Sequence, residues 1–170
     1  MHSEFIDENQ IVDSMEKDDW KLIGICGIYC GDCPSYLAHK INDIGELEAR
    51  AQRTGFTFEE TRCDGCHSDN VMPTCIECRH GFRQCAKEHR VTWCFECSEF
   101  PCQRLEDFRD IHVENGISHH KHLVNELYYL KKNGIEDWLI KKEREGCCPQ
   151  CAKRLYWCTR NCPDCGTVIR

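Results

Sequence analysis

Cysteine is the residue whose abundance and spacing say most about the chemistry of this chain, since it accounts for 17 of 170 residues. Two residues between cysteines let both sulfurs of a tight turn face one ion, which is the recurring half-site of structural zinc. A redox-active dithiol has the same spacing, so one pair alone would be a weak signal. Six pairs in one short chain predict bound metal: Cys30/Cys33, Cys63/Cys66, Cys75/Cys78, Cys94/Cys97, Cys148/Cys151 and Cys162/Cys165.

The clearest single site lies near the C-terminus. Cys148-Pro-Gln-Cys151 and Cys162-Pro-Asp-Cys165 are separated by ten residues, which is the sequence form of a zinc ribbon with two knuckles around one tetrahedral ion. The apolar and aromatic residues at 155–157 between the pairs predict a short strand. Cys147 and Cys158 remain outside this pattern, and we interpret them as residues that do not bind the ion.

The remaining eleven cysteines belong to a larger N-terminal body, and their grouping stays open. Two four-thiolate sites would use eight of them and leave three. The groups could follow sequence order, or the first pair could be joined to a distant one. In sequence order they would be Cys63/Cys66/Cys75/Cys78 and Cys85/Cys94/Cys97/Cys102, with Cys26, Cys30 and Cys33 remaining. With the ribbon, three to four zinc ions are expected.

The spacing of Cys26, Cys30 and Cys33 matches the cluster loop of radical S-adenosylmethionine enzymes. The barrel that such chemistry normally needs cannot fit before the next cysteines, so we favour other interpretations. One is a closed structural site. The others are a three-thiolate ion completed by a histidine and a [4Fe–4S] cluster completed by another cysteine. The candidate histidines are His67, His80 and His89. An ion with an open fourth position would suit a metal-dependent enzyme or sensor.

Composition indicates that metal must supply stability that the apolar residues cannot. Leu, Ile, Val and Phe together make up about a fifth of the chain, near the level at which chains fail to fold unaided. A structural zinc ion contributes roughly 10–16 kcal/mol of apparent binding free energy in finger peptides. Disulfides are the less favoured alternative, because the cysteine count is odd and residues 1–20 are acidic, without the apolar stretch of a secretory signal. We therefore expect a cytoplasmic protein, and no apolar run is long enough to predict a membrane span.

Charge favours a protein partner over a nucleic acid. The formal net charge is −7, and each ion held by four thiolates would add further negative charge. Such a surface repels phosphate backbones. Four aromatic residues are candidate anchors for a protein partner: Tyr128, Tyr129, Tyr156 and Trp157. The oligomeric state is not indicated.

Periodicity predicts a small, metal-stabilised, α-rich fold with irregular cysteine knuckles and an appended C-terminal β zinc ribbon. We divide the chain into an arm at 1–20, a cysteine-rich body at 21–115, a helical connector at 116–145 and the ribbon at 146–170. Helices are predicted at 11–15, from Pro34 to Ala51 with a break at Gly45, after Pro101, within 118–133 and at Ile135–Glu145. Within 63–102, Phe82–His89 is the one apolar run of sufficient length for a regular core element. His112, His119, His120 and His122 are interpreted as a solvated helix face.

The order of the cysteines resembles an uncharacterised cysteine-rich family of bacteria and archaea, a domain of unknown function. The matching segments are Cys-Gly-Ile-Tyr-Cys-Gly-Asp-Cys-Pro-Ser-Tyr at 26–36, Cys63-Asp-Gly-Cys66, Cys75-x2-Cys78, Cys85-Ala86, Cys94-x2-Cys97 and Phe100-Pro101-Cys102. Longer members also carry a Gly-Ile-Glu-x-Trp-Leu helix and a terminal ribbon, as at 134–139 and 148–166. Arg79-His80-Gly81 departs from the usual stretch. The resemblance implies a zinc-binding protein and implies no reaction. The residues therefore favour a non-enzymatic protein-interaction module with structural four-cysteine sites, with an iron–sulfur redox protein or an open-site enzyme or sensor as alternatives.

Overall fold

Short helices dominate the computed structural model, which describes residues 18–169 apart from 110, 112 and 115. The α-helices are α1 (Pro34–Lys40), α2 (Ile44–Thr54), α3 (Phe58–Thr61), α4 (Pro73–Glu77), α5 (Phe82–His89), α6 (Gln103–Arg109), α7 (Leu123–Asn133) and α8 (Ile135–Glu145), with 3-10 turns at Asp19–Leu22 and Cys94–Glu96. The strands β1 (Val113–Glu114) and β2 (Ile117–Ser118) form an antiparallel hairpin. The helix predicted at 11–15 lies outside the described residues, as does His112.

The predicted break in the first long helical pattern is confirmed, but it falls before Gly45. Asn42 adopts a left-handed backbone with φ 56°, which stops α1. The Oδ1 of Asp43 then accepts a hydrogen bond from the Glu46 amide at 3.0 Å and begins α2. Gly45 lies within the first turn of α2, because an N-cap at Asp43 decides the boundary more strongly than a single glycine does.

The last two helices complete the hydrophobic core of the cysteine-rich body. Leu130 of α7 and Trp138 of α8 pack in one cluster with Ile23 and Tyr29. Leu127, on the same helix as Leu130, belongs to a second cluster with the buried side chains of α5 and α6. The predicted helix at Ile135–Glu145 is confirmed, with Trp138 and Leu139 on its buried side. Side chains that follow residue 120 in the sequence therefore form part of both hydrophobic clusters of the cysteine-rich body.

The strand predicted at 155–157 is wrong. Residues 146–169 contain two isolated β-bridges, Cys147 with Arg154 and Asn161 with Val168, in place of paired strands. Within the predicted strand, the Trp157 amide donates to the carbonyl oxygen of Asp32 at 3.0 Å instead of to a neighbouring strand. This bond ties the C-terminal unit to the body.

The interpretation of the histidines as a solvated face is wrong for His120, which is 4% exposed. Its ring stacks on Phe108 with centroids 4.0 Å apart, and its Nδ1 lies 3.1 Å from the Phe108 carbonyl oxygen. His120 precedes α7 and is buried because the chain turns there over α6. In the described part of the chain, no helix is long and apolar enough to cross a bilayer.

Candidate metal centres

The four C-terminal cysteines converge on one point. The Sγ atoms of Cys148, Cys151, Cys162 and Cys165 all lie within 4.8 Å of one another. Cys148 and Cys165 are separated by 3.6 Å, and Cys151 and Cys162 by 3.5 Å. A zinc ion with Zn–S bonds of about 2.3 Å in tetrahedral geometry places its sulfurs about 3.8 Å apart. The four thiols are therefore spaced as a single four-thiolate ion requires.

The two knuckles of this site repeat the same backbone hydrogen bonds. The Cys148 amide donates to the Lys153 carbonyl at 2.8 Å, and the Ala152 amide donates to the Cys148 carbonyl at 2.9 Å. The second knuckle repeats both bonds fourteen residues later, from Cys162 to Thr167 at 2.8 Å and from Gly166 to Cys162 at 2.9 Å. The isolated β-bridges are also fourteen residues apart, since Cys147 pairs with Arg154 and Asn161 pairs with Val168. The site is thus built from two equivalent turns that face one another, and local sequence determines each turn.

A small apolar cluster closes one side of the same site. Leu155 and Ile169 occupy equivalent positions after the two knuckles, and both pack with Cys148 and Cys162. The Leu155 amide donates to the Gly146 carbonyl at 2.9 Å. Cys148 and Cys162 are buried, whereas Cys151 and Cys165 are exposed. One pair of thiols therefore belongs to the interior and the other pair faces solvent.

Thr167 stabilises the thiolate form of Cys165. Hydrogen bonds from the Thr167 side chain and then from its backbone amide lower the pKa of the Cys165 thiol to about 6. The Thr167 Oγ1 lies 3.2 Å from the sulfur. A metal ligand must be deprotonated, so a sulfur that is already anionic near neutral pH favours metal binding. Sequence analysis did not single out Thr167; its position two residues after the last knuckle cysteine was the available signal.

Four further cysteines surround a cavity of about 30 Å³ in the body: Cys85, Cys94, Cys97 and Cys102. Burial, together with the nearby thiols of Cys102, Cys85 and Cys97, raises the pKa of Cys94 to about 12. Neighbouring thiols cannot all ionise in a buried place unless a cation compensates their charge. His89 also lines the cavity, with its Nδ1 at 3.5 Å from the Cys97 sulfur. These four cysteines and His89 therefore lie around one small cavity.

A third group joins the first knuckle of the chain to distant cysteines. Burial raises the pKa of Cys30 well above its usual value, and the thiols of Cys66, Cys33 and Cys63 add to that effect. Burial also raises the pKa of Cys75 to about 12, with contributions from Cys33, Cys63 and Cys66. These five sulfurs lie close enough to influence one another, and they come from three separate segments of the chain.

Cys26 lies between these two groups. Burial raises its pKa, and the neighbouring thiols that raise it most are those of Cys66, Cys94 and Cys78. The structure therefore associates Cys26 with both groups. In the chain as described, only the C-terminal four form a set of at least three Cys, His, Asp or Glu ligand atoms that all lie within 4.8 Å of one another.

The candidate histidines have different surroundings. His67 packs between Trp20 and Trp93, with ring centroids 5.5 and 6.1 Å away. His80 packs on Phe108 at 4.6 Å. His89 is the one that lies beside a cysteine sulfur.

Arg83 is a further residue that sequence analysis missed. Its Nε donates to the Cys75 carbonyl at 2.7 Å, and its Nη2 donates to the Cys66 carbonyl at 2.6 Å. The same Nη2 lies 3.7 Å from the Cys66 sulfur. One guanidinium thus fixes two knuckles and places a positive charge beside a candidate ligand, as outer groups around metal sites commonly do.

Comparison with known proteins gives a family but no activity. The chain matches no curated protein and no solved structure. Residues 22–107 match DUF3795, which is described as a protein of unknown function. That region contains all eleven cysteines of the body, from Cys26 to Cys102. The chain therefore belongs to the DUF3795 family.

Proposed function

We propose that this protein is a zinc-binding, non-enzymatic interaction module whose fold depends on structural thiolate sites. The observation that carries the proposal is the convergence of Cys148, Cys151, Cys162 and Cys165, with two opposite sulfur pairs at 3.6 and 3.5 Å. A site with four protein ligands leaves no position for water or substrate, which is typical of structural rather than catalytic zinc. On this proposal, residues 146–170 are a zinc ribbon of reduced form, in which single bridges replace the strands.

The body is proposed to hold the remaining ions, for a total of three to four. The group around the 30 Å³ cavity would hold one ion, and the group that includes Cys30, Cys63 and Cys66 would hold another. Buried thiols that raise one another's pKa support this proposal, because a divalent cation removes the repulsion that keeps them protonated. On this proposal the grouping is interleaved, which is supported by the influence of the Cys66 and Cys63 thiols on the pKa of Cys30, more than thirty residues away.

A protein partner is the remaining part of the proposal. Tyr156 donates to the Asp43 carboxylate at 2.7 Å, and Trp157 stacks on His119 at 4.1 Å. Both side chains therefore make contacts within the molecule. Tyr128 instead is 48% exposed and packs edge-on against Phe100 at 4.8 Å. Exposed aromatic residues of this kind are enriched where proteins bind one another. The side chain that supports a partner is therefore Tyr128 on α7.

Elemental analysis of protein purified without oxygen tests the proposal, read together with its visible spectrum. We expect three to four zinc ions per chain and a colourless solution. Stoichiometric iron with sulfide, a brown colour and broad visible absorbance would overturn the zinc assignment and support an iron–sulfur redox protein. Immobilised wild-type protein and a Tyr128→Ala variant, compared for the proteins that they retain, would test the interaction surface.

A further inference from the structure

His89 differs from the other candidate histidines because a ring nitrogen lies beside a cysteine sulfur. Its Nδ1 is 3.5 Å from the Sγ of Cys97. A tetrahedral zinc ion with a Zn–S bond of about 2.3 Å and a Zn–N bond of about 2.0 Å separates these two ligand atoms by about 3.5 Å. The nitrogen and the sulfur are therefore spaced as two ligands of one ion. An N–H···S hydrogen bond spans a similar distance, so the surroundings of the pair distinguish the two arrangements.

Helix α5 brings His89 to the same cavity as three cysteines. Cys85 precedes His89 by four residues on α5, so the two side chains lie one above the other on one side of the helix. Paired ligands at this spacing bind one ion in helical zinc sites. Both residues line the cavity of about 30 Å³, together with Cys97 and Cys102. Three segments of the chain thus place four donors around one small space.

The donors of this group are not drawn together around one point as those of the C-terminal site are. Among the described residues, no third ligand atom lies within 4.8 Å of both the His89 Nδ1 and the Cys97 Sγ. A cysteine sulfur moves by about 3 Å when χ1 changes from one staggered rotamer to another. We therefore expect an ion to turn the sulfurs of Cys85 and Cys102 towards the pair, without a change in the backbone.

Cys94 is the fifth donor beside the cavity, and it also lies close to Cys26. The Cys94 amide donates at 2.9 Å to the carbonyl of Ile25, the residue before Cys26. The Cys94 thiol is one of three that raise the pKa of Cys26, with those of Cys66 and Cys78. A tetrahedral ion takes four ligands, so five donors around one cavity leave one over. Cys94 is the donor that has a second place to bind.

The number of donors in the body agrees with this division. The body contains eleven cysteines, from Cys26 to Cys102, whereas three four-coordinate ions need twelve ligands. His89 supplies the twelfth. With the C-terminal site the chain would then hold four ions, which is the upper end of the proposed range.

We propose that His89 binds one zinc ion of the body through Nδ1, together with Cys85, Cys97 and Cys102. Cys94 then binds the neighbouring ion with Cys26. The inference rests on the proposed zinc-binding function and changes one site from four thiolates to three thiolates and an imidazole. Such a site has a net charge of −1 instead of −2, so the folded body has less negative charge to accommodate.

Cadmium-113 NMR of the full chain loaded with ¹¹³Cd²⁺ tests the proposal, because each bound ion gives its own line. A nitrogen donor in place of a sulfur shifts the line upfield. We expect one line upfield of the others, with a scalar coupling between that ion and the Nδ1 of His89 in protein labelled with ¹⁵N-histidine. Lines that all fall in the four-sulfur range, without coupling to His89, would overturn this inference alone. A body that binds no cadmium would overturn the proposed function as well.

Variants give the second arm of the test. His89→Cys should move the upfield line into the range of the others without loss of an ion. His89→Gln should weaken the binding of one ion at least tenfold in competition with a chelator, since even residues that only support a ligand contribute that much. His122→Gln, at an exposed position outside the cavity, is the control and should bind every ion as the wild type does. Unchanged spectra and affinities in both His89 variants would contradict the proposal.

Cys94→Ser tests the division between the two neighbouring ions. It should preserve the coupling between cadmium and His89 and should shift or remove a different line. Cys97→Ser, which removes the sulfur beside the imidazole, should instead abolish the coupled line. Loss of the coupling in Cys94→Ser would place Cys94 on the same ion as His89 and refute the division.

Discussion

Ala152 and Gly166 occupy the same position in two successive knuckles, and both adopt a left-handed backbone, with φ 58° and 75°. Each follows the second cysteine of its pair and donates its amide to the first cysteine's carbonyl at 2.9 Å. A left-handed backbone costs an alanine roughly 1–2 kcal/mol more than a glycine. The first knuckle therefore carries strain that the second avoids.

The two equivalent positions allow a pair of opposite substitutions, alanine to glycine at 152 and glycine to alanine at 166. Ala152→Gly should raise the free energy of unfolding of the C-terminal unit by about 1 kcal/mol, and Gly166→Ala should lower it by about the same amount. Space does not oppose the second change, since among the described residues no atom beyond the two chain neighbours would lie within 4 Å of a Cβ at position 166. Zinc release on heating or in denaturant, monitored with a chromogenic chelator, measures both. Shifts of the same sign for the two variants would contradict the equivalence of the knuckles.

Loss of single cysteines should separate the C-terminal unit from the body. Cys148→Ser should remove one zinc ion per chain and disorder residues 146–169, while the body keeps its helices. Cys66→Ser should unfold much more, because three segments meet around that thiol. Zinc content and amide NMR spectra measure the two effects.

Cys147→Ser is the control, because Cys147 donates to the Glu143 carbonyl at 3.3 Å, outside the group of four. It should retain full zinc content. Equal unfolding by Cys148→Ser and Cys66→Ser would refute a division of the chain at residue 146.

Thr167→Val should weaken the C-terminal site. Without the hydroxyl, the pKa of the Cys165 thiol rises from about 6 towards its usual value of 9.0, so protons compete more strongly for the sulfur at neutral pH. We expect about tenfold weaker zinc binding at pH 7 and zinc release at a higher pH than in the wild type. The difference should vanish above pH 9, where the free thiol ionises in both proteins. Identical release curves would mean that Thr167 does not tune the sulfur.

Arg83→Gln should weaken metal binding in the group that contains Cys66 and Cys75, since the guanidinium holds both knuckle carbonyls. A tenfold or larger loss of affinity for one ion is expected, measured by competition with a chelator of known affinity. Arg79→Gln, at an exposed position, is the matched control and should behave as the wild type. A similar loss in both variants would point to net charge rather than to the contacts of Arg83.

Sequence alone predicted the features that local chemistry determines. The helix at Ile135–Glu145 follows from its apolar periodicity and from the glycines at its two ends. The convergence of Cys148 with Cys165 follows from knuckle spacing, because each knuckle is a turn closed within six residues. The strand predicted at 155–157 is absent, and the Trp157 amide instead donates to the Asp32 carbonyl in the body, a contact that no local pattern reveals.

The arrangement of the body depends on contacts between distant segments. Cys30 lies close enough to Cys63 and Cys66 for their thiols to raise its pKa, although more than thirty residues separate them in sequence. Arg83 could not be singled out for the same reason, as its importance rests on the two knuckle carbonyls that folding places beside it. His120 is buried because α6 passes over it, although its neighbours in sequence are polar.

The most direct test of the dependence of this fold on metal is removal of all ions under reducing conditions, followed by far-ultraviolet circular dichroism. We expect the stripped chain to lose most of its helical signal and to regain it when three to four equivalents of zinc are added. A stripped, reduced chain that keeps its full helical signal and unfolds at the same temperature as the loaded protein would contradict the metal-dependent fold.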